Sequence, residues 1–471
     1  MYTIRYAYYN AKKTSSHTLK QPLYTPAQLL RFFVQLLPGS QLLKLPALQG
    51  KSFYDRLFTP LVTLWYLLFQ RLRCDHTLDA ALSDARSGGA DRLNKKLSRK
   101  LSSDSTCSYS DARQRLPWMF LAQALCVQGA NIIGLSSTLL WHGRVLALLD
   151  GSTVRLRPYG NTAMEFPGNA NQHGKPYWCL MRVVGCFCVL SGAALDCVTG
   201  SIRMSEQVMA CAIILRCTFN SLFIGDSNFG VFRVAQAARA AGQEVLLRMT
   251  DRRARRLLGR VLREGDHAVL WAPTRQDQLE PGASKEPIEG RLLVLKLRRR
   301  GFRVQPLYLF TNLPQDANCR LDELVRLYGL RWHVELNFRY LKAQMDLAQL
   351  EAKSPDMVRK EWFAGLLAYN LIRAAQLCAA LQKGISPLTL SFSSARRRLE
   401  DWLQQLSHRP RQGRALWAQT LNRIGRCRHP IRRKPRPNEP RAQRHLRLPY
   451  KSLYGCRAKA RRSLKIYASK S

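Results

Sequence analysis

The sequence predicts an α/β layer fold with a mixed sheet, and two observations carry this prediction. Between residues 144 and 249, three strand-like runs are followed by a helix, a strand, a helix and a strand, an order typical of α/β layers. The chain has 471 residues and 46% apolar content, which is enough for a large buried core and roughly three domains. We therefore expect a globular protein and exclude a disordered chain.

Each element of that region follows from its own pattern. Arg144 to Leu149 is a short apolar run that ends in Asp150, and Ser221 to Gly225 is another that ends in Asp226. Periods of two and of about 3.6 residues separate the remaining strands from the helices. The predicted strands cover residues 144–149, 177–190, 193–199, 221–225 and 244–249, and the predicted helices cover residues 205–217 and 231–241.

The region before the sheet is predicted as a helical domain, residues 1–117. Thr77 is a predicted N-cap, and Gly88 with Gly89 marks a break between helices. A cluster of cations between Arg92 and Lys100 indicates a DNA-binding unit. An ordinary basic, solvated surface explains those cations equally well.

A β-rich insertion is predicted at residues 251–306, because the helical alternation stops there. It would divide the α/β region into residues 140–250 and 307–385, with a long helix carrying Glu335 after the insertion. The strand-like pieces lie at residues 268–271, 291–297 and 304–310.

The C-terminal region, residues 386–471, is predicted to be basic and partly disordered. Before it, a second long helix begins with Ser354 as its N-cap and runs to about Gln382. Beyond Arg428 the chain is rich in Lys, Arg and Pro and has one acid, Glu439. Such a tail is expected to lie along a phosphate backbone.

The charge balance indicates a polyanionic partner. The chain has 75 Lys and Arg against 31 Asp and Glu, a formal net charge of +44 and a pI near 10.5. This surplus would repel itself unless a polyanion neutralised it, and nucleic acid is the commonest such partner. An anionic membrane is the weaker alternative.

No membrane span or secretory signal is predicted. Residues 57–69 are too short to cross a bilayer, and residues 118–141 carry polar side chains that hydrocarbon would penalise. Met1 to Lys13 lacks an apolar core with a cleavage site. We expect a cytoplasmic, nucleoid-associated protein.

The thirteen cysteines have no C-x-x-C spacing. Cys74 with His76, and Cys427 with His429, each offer only half of a zinc site. Reduced, mostly structural thiols are expected.

Few acids are placed as catalytic acids must be. Asp150 precedes Gly151, and Asp226 precedes Ser227; α/β sheets hold ligands at strand ends of this kind. Each aspartate alone is more often an N-cap or turn acid. Asp196 also lies near a strand end, but it belongs to no motif.

Tyr328, Arg331, Glu335 and Lys342 are predicted to share one helix face. Their offsets of 3, 7 and 14 residues place them within an arc of about 60° on an ideal helix. A carboxylate between two cations and a phenol suits a phosphodiester beside a metal ion. A solvated charged face next to an apolar stripe is the ordinary alternative.

These residues resemble the DDE transposases of bacterial insertion sequences, specifically the insertion-sequence-four branch. The resemblance rests on Leu149-Asp150-Gly151-Ser152, on Gly225-Asp226-Ser227-Asn228-Phe229-Gly230, and on the Y(2)R(3)E(6)K signature at Tyr328, Arg331, Glu335 and Lys342. Smaller echoes are Thr311-Asn312-Leu313 and Tyr369-Asn370-Leu371-Ile372-Arg373. The similarity runs from about Tyr54 to Arg373.

The resemblance implies an RNase H-like catalytic core of mixed sheet and flanking helices, interrupted by the β-rich insertion. It implies that Asp150, Asp226 and Glu335 hold two Mg²⁺ ions, with Mn²⁺ as a substitute, for cleavage of DNA at element ends and strand transfer into target DNA. Tyr328, Arg331 and Lys342 would bind DNA phosphates. A homodimer bridging two ends is also implied.

Two other functions stay open at this point. A transposase-derived protein that binds DNA without cutting it would have the same sequence features, and an RNase H-superfamily nuclease would cut without joining. Trp271, in the predicted insertion, is at a position where related enzymes stack a displaced base, although a tryptophan at a strand end is more often packed in the core.

Overall fold

A computed structural model of the chain describes residues 29–53, 56–73, 75–169, 177–259, 261–279, 285–297, 305–316, 319–408, 413–429, 456, 458–459 and 462. Predictions that concern residues 1–28, Cys74 and nearly all of the basic segment after Arg428 lie outside these residues.

Helices precede the sheet in the described part of the chain. Thr59 and Thr77 begin two of them, and each side-chain oxygen accepts a hydrogen bond from a backbone N–H in the first turn. The N-cap predicted at Thr77 is therefore confirmed. The helices are α1 (Leu29–Leu36), α2 (Gly39–Leu42), α3 (Pro60–Leu72), α4 (Leu78–Arg86), α5 (Leu97–Lys100), α6 (Cys107–Arg115) and α7 (Trp118–Ile133).

One mixed sheet contains all ten named strands of the described residues, which confirms the predicted α/β class. The strands are β1 (Leu140–Trp141), β2 (Arg144–Leu156), β3 (Cys179–Cys188), β4 (Ala194–Ser201), β5 (Ser221–Gly225), β6 (Glu244–Arg248), β7 (Gly265–Trp271), β8 (Ile288–Leu297), β9 (Gln305–Thr311) and β10 (Gln349–Leu350). Their order is β4-β3-β2-β5-β6-β9-β8-β7, with β1 and β10 also pairing with β2. β2, β5 and β6 are parallel, and the other pairs along this path are antiparallel.

Strand β2 is longer than the sequence predicts. The apolar run ends at Asp150, yet the strand continues to Leu156 because β3 pairs with it from Ala147 onward. Asp150 therefore lies inside a strand, and the expectation that it follows a strand end is wrong. Strand β5 does end at Gly225, as predicted, and Asp226 follows it.

Seven helices connect or cover the strands in the described region. They are α8 (Gly160–Glu165), α9 (Glu206–Leu215), α10 (Phe232–Ala240), α11 (Asp251–Leu258), α12 (Arg275–Gln278), α13 (Leu321–Gly329) and α14 (Trp332–Arg339). A π-helical turn, Tyr340–Gln344, follows α14 directly. The segment predicted as an insertion contains α11 and α12 besides its strands, and β7 and β8 extend the same sheet through β9.

A long buried helix, α15 (Pro355–Lys383), packs against α3, α7, α16 (Phe392–His408) and α17 (Gly413–Arg426). Its start is as predicted, since the Ser354 hydroxyl accepts a hydrogen bond from the backbone N–H of Met357. Trp402 and Trp417 are buried between α16 and α17, with ring centroids 4.9 Å apart. The first part of the basic C-terminal region is thus helical and packed.

Helix α15 is the one described helix that is long and apolar enough to cross a membrane by itself. Within its most apolar stretch, 89% is buried inside the protein, which is typical of a core helix. Helices α6 and α7 would pass the same test only together, and they are bent by 75° at their junction.

Candidate active site

Two aspartates lie at the same level of neighbouring parallel strands. Leu148 of β2 is opposite Ile224 of β5, so two residues further along the same register bring Asp150 beside Asp226. Adjacent strands are about 4.8 Å apart, and paired residues point to the same face of a sheet. The Asp226 carboxylate accepts a hydrogen bond from the backbone N–H of Asn228 at 2.9 Å, which holds the turn after β5. The structure therefore brings these two predicted acids together.

Asp150 has an unusual electrostatic environment. Burial raises the pKa of its carboxyl to about 6, a hydrogen bond from the backbone N–H of Gly151 opposes that rise, and the negative charges of Asp226 and Glu335 add to it. The Arg331 guanidinium lowers this pKa. The charges of Asp226 and Glu335 therefore both act on the Asp150 carboxyl, and the Arg331 guanidinium partly balances them.

Helix α14 presents Glu335 near these aspartates. The helix packs on the sheet through Phe338, whose ring meets the ring of Phe187 at a centroid distance of 5.3 Å and an angle of 77°. Glu335 is exposed, and its Oε1 accepts a hydrogen bond from Arg331 Nη2 at 3.2 Å. Glu335 is thus paired with a cation from its own signature.

The signature does not lie on one continuous helix, so that expectation is wrong. Tyr328 belongs to α13, and the backbone N–H of Arg331 bonds to the Tyr328 carbonyl, three residues back, at 3.0 Å. Lys342 lies in the π-helical turn, where the N–H of Met345 bonds five residues back to Tyr340. A tighter turn before Glu335 and a wider one after it change the angular spacing, so the ideal 60° arc does not apply.

The Tyr328 hydroxyl is buried close to the Arg248 guanidinium, and it donates no hydrogen bond to a described residue. Burial raises the pKa of this phenol, while the nearby guanidinium groups of Arg331 and Arg248 lower it. Arg248 was missed by the sequence analysis. It follows Leu247, which is opposite Gly225, and this register puts Arg248 beside Asp226. Its place at the end of a predicted strand parallel to the Asp226 strand was the available signal.

Lys342 lies near a second cation at the far end of β2. Burial lowers the pKa of its ammonium group, and the charge of Arg155 lowers it too. Arg155 is exposed, and its guanidinium carbon is 6.0 Å from the ring centroid of Trp178. Arg155 could not be predicted from the sequence, because its nearness to Lys342 depends on the pairing of β10 with β2.

Glu206 joins the two aspartate motifs from the N-terminus of α9, and the sequence analysis missed it as well. Its Oε2 accepts a hydrogen bond from Asn228 Nδ2 at 2.7 Å, and its Oε1 is 3.6 Å from Arg182. A Cβ on Gly151 would come within 2.5 Å of the Glu206 carboxyl carbon. The glycine after Asp150 thus leaves room for the Glu206 carboxylate beside β2.

Two residues that the sequence singled out lie in structural contacts. Asp196 is buried in an ion pair with Arg216, at 2.5 Å from Asp196 Oδ2 to Arg216 Nε. Trp271 is buried, and its ring makes edge contacts with Phe232 and Phe310. The packed interpretation of Trp271 agrees with the structure, and Asp196 belongs to the sheet core.

Among the described residues, no three His, Cys, Asp or Glu side chains close around a single metal position. The fit to a divalent cation is one of chemistry. Asp150, Asp226 and Glu335 supply the carboxylate oxygens that Mg²⁺ prefers. Burial is the main cause of the raised pKa of Asp150, and a cation would balance the negative charges of Asp226 and Glu335 that add to it.

Comparison with known proteins shows that part of this chain is similar to transposases. Residues 141–371 match the model of the transposase DDE domain. The transposase InsG of insertion sequence element IS4 from Escherichia coli K12 is 26% identical over 260 residues, which cover 54% of this chain and 58% of that protein. The Escherichia coli transposase of insertion sequence element IS421 is 33% identical over 108 residues, which cover 21% of this chain and 29% of that protein.

The matches span less than two thirds of these relatives' own lengths. Among solved structures, the piggyBac transposase synaptic complex with hairpin DNA is similar at 9% identity and a TM-score of 0.40, covering 84% of this chain and 85% of that chain. This last similarity is too weak to establish a common fold.

Proposed function

We propose that this chain, whose residues 141–371 match the transposase DDE domain and which is similar to the transposase of insertion sequence element IS4, cuts DNA at the ends of an insertion sequence and joins those ends to target DNA. The observation that carries the proposal is that Asp150 of β2 lies beside Asp226, which directly follows the neighbouring parallel strand β5, with the charges of Asp226 and Glu335 both acting on the Asp150 carboxyl. The three acids are far apart in the sequence. Their shared electrostatic environment is unexpected unless the fold uses them together.

Asp150, Asp226 and Glu335 would hold two Mg²⁺ ions, with Mn²⁺ as a substitute. Bound there, such ions would supply Lewis-acid stabilisation of the attacking and leaving oxygens of a phosphodiester. The chain's own contribution is to hold the carboxylates. The Gly151 N–H and the Asn228 N–H each fix one aspartate oxygen, and Arg331 holds Glu335.

The DNA backbone would lie across the cations around these acids. Arg331 and Arg248 lie near the Tyr328 hydroxyl, which donates to no described residue, and a phosphate oxygen would accept its hydrogen bond. Lys342, beside Arg155, would contact a phosphate further along the strand. The guanidinium groups suit bidentate contacts, whereas the ammonium group acts as a point charge.

The partners follow from charge. A net charge of +44 would be neutralised by element ends and target DNA together, and we propose a homodimer that bridges two ends, acting in the cytoplasm at the nucleoid. The core and insertion boundaries given above, including residues 251–306, are retained as part of the proposal, with an RNase H-like arrangement of the core.

Incubation of the full chain with a duplex that carries the inverted repeats flanking its gene, in Mg²⁺ or Mn²⁺, tests the function. We expect nicks at the repeat ends followed by joined products. Nicks without joining would assign a nuclease, and a gel shift without nicks would assign a DNA-binding protein derived from a transposase. Either of those outcomes contradicts the proposal.

A further inference from the structure

Arg373 of α15 is a buried cation with an unusual set of partners. Its side chain is 3% exposed. Its guanidinium donates hydrogen bonds to Asn337 Oδ1 at 2.7 Å, to the Tyr369 hydroxyl at 2.7 Å and to Gln376 Oε1 at 3.1 Å. Among the described residues, no carboxylate lies within ion-pair distance of it. A cation without an ionised partner is costly to bury, so its neighbours must compensate.

Aromatic rings supply part of that compensation. The guanidinium carbon lies 5.1 to 5.2 Å from the ring centroids of Tyr340, Tyr369 and Phe392, a distance at which ring faces attract a cation. The backbone of Gly192 lies on another side, where a Cβ would come within 2.8 Å of that carbon. Gly192 also has φ +72°, and its carbonyl accepts the hydrogen bond of the Tyr369 hydroxyl at 2.7 Å.

The partners of Arg373 belong to the segment that carries the signature. Asn337 is two residues after Glu335, which places it on roughly the opposite side of α14, and it is 1% exposed while Glu335 faces solvent. Tyr340 begins the π-helical turn and stacks on Phe392 at 4.7 Å. Arg373 therefore contacts the back of α14 and the start of the turn that carries Lys342.

Asn337 is otherwise poorly anchored. Its Nδ2 is buried without a hydrogen-bond partner, so the side chain is held through its oxygen alone. That oxygen accepts from Arg373, and the Tyr369 hydroxyl lies 3.1 Å from it. Loss of the guanidinium would leave the Tyr369 hydroxyl as the one hydrogen-bond partner of the Asn337 side chain among the described residues.

We propose that Arg373 is a positioning residue, which fixes α14 and the π-helical turn so that Glu335 and Lys342 keep their places relative to Asp150. This inference rests on the proposed function for its purpose, but the contacts that carry it are independent of DNA and metal. Arg373 itself is buried behind the helix and does not reach the reacting groups.

Hydrogen–deuterium exchange on the full chain, without metal or DNA, tests the role directly. We expect Arg373→Met to speed exchange of the amides in residues 332–344 by about tenfold, the effect of losing one hydrogen bond to a charged group. Asn337→Leu should give a similar change, and the double variant should add little to either. Asn337→Asp keeps an oxygen acceptor for Arg373, so exchange of residues 332–344 in this variant should be close to that of the unmodified chain.

Arg291→Met is the matched control, because Arg291 is 5% exposed and bonds to Asp266 and to the carbonyl of Pro314, in the β7–β8 part of the sheet. It should speed exchange in residues 288–297 and leave 332–344 unchanged. Unaltered exchange of 332–344 in Arg373→Met, or additive effects of the Arg373 and Asn337 changes, would overturn the proposal.

A cleavage assay separates this inference from the proposed function. If the chain cuts the repeat-bearing duplex, Arg373→Met should lower kcat while KM for DNA stays within about twofold, since misplacement of Glu335 affects the chemical step. A rise in KM at unchanged kcat would contradict the positioning of Glu335. If the unmodified chain cuts no DNA, the proposed function fails, and the exchange results alone still decide whether Arg373 holds α14.

Discussion

The ring of Phe338 lies 3.3 Å from the point where a side chain on Gly185 would begin. Gly185 is directly opposite Asp150 in the β2–β3 ladder, so its missing side chain leaves room for α14 on the face that carries the aspartate. The approach of the helix to the sheet therefore depends on one glycine with a strand conformation.

Gly185→Ala should displace α14. The new Cβ would meet Phe187 at 2.7 Å and Phe338 at 3.3 Å, and both rings are buried. Overpacking of this kind costs about 1–3 kcal/mol, so we expect a lower free energy of unfolding in urea and reduced DNA cleavage. Gly160→Ala, where no heavy atom lies within 4 Å of the added Cβ, should change neither. Equal stability of the two variants would contradict this account of the helix approach.

Asp150→Asn should stabilise the metal-free protein at neutral pH. Because the pKa of Asp150 is raised from 3.8 to about 6, the fold favours the protonated form, and its contribution to stability is complete below about pH 4 and falls as pH rises through 6. An amide cannot ionise, so the variant should gain about 2–3 kcal/mol at pH 8 and nothing at pH 3.5.

Urea unfolding of both proteins at the two pH values, in the presence of a chelator, measures this difference. Glu264→Gln serves as the control, since Glu264 is half-exposed and pairs with Lys296 in another part of the sheet. If Asp150→Asn is less stable than the unmodified chain at pH 8, the ionised Asp150 carboxylate stabilises the fold and this prediction is wrong.

Loss of any predicted metal ligand should abolish cleavage and leave DNA binding. We expect Asp150→Ala, Asp226→Ala and Glu335→Gln each to slow nicking by at least about 10³-fold, because each change removes charge that stabilises the transition state through a metal. Filter binding at rising salt should give the same slope as for the unmodified chain. Glu264→Gln should cut normally. Parallel loss of binding would indicate a structural role for the altered acid.

Tyr328→Phe should separate stability from activity. The change removes a buried hydroxyl that donates to no described residue, so the protein without DNA should be as stable or about 1 kcal/mol more stable. Cleavage should nevertheless fall by about tenfold if the hydroxyl bonds to a phosphate.

Tyr66→Phe is the matched comparison for thermal unfolding. The Tyr66 hydroxyl is paired with Asp84 at 3.1 Å, far from the acids in sequence and in a different helical layer. Its loss should lower the melting temperature and leave the cleavage rate per folded molecule unchanged. A destabilised Tyr328→Phe would mean that its hydroxyl already has a partner in the free protein.

Several features were predictable because they depend on short-range pattern. The apolar run before Asp226 predicts β5, and Ser354 followed by Pro355 predicts the start of α15. The length of β2 was not predictable. Residues 150–153 are half-buried and carry no apolar run, and pairing with β3 holds them in the strand.

The site was predictable in composition and less so in geometry. The spacing of Tyr328, Arg331, Glu335 and Lys342 identified the segment, yet the tight turn before Glu335 and the π-helical turn after it depend on distant contacts. Tyr340 stacks on Phe392, about fifty positions away. Arg248 became apparent only when the parallel register of β5 and β6 was known.

Strands β9, β8 and β7 continue the sheet from β6, so deletion of the segment that contains them would alter the rest of the sheet. Removal of residues 265–311 would leave the backbone amides and carbonyls of β6 without their neighbour on one side, as a fresh edge next to the strand that ends beside Asp226. An edge of that kind invites pairing with another chain. Deletion of residues 265–311 is therefore expected to make the protein aggregate.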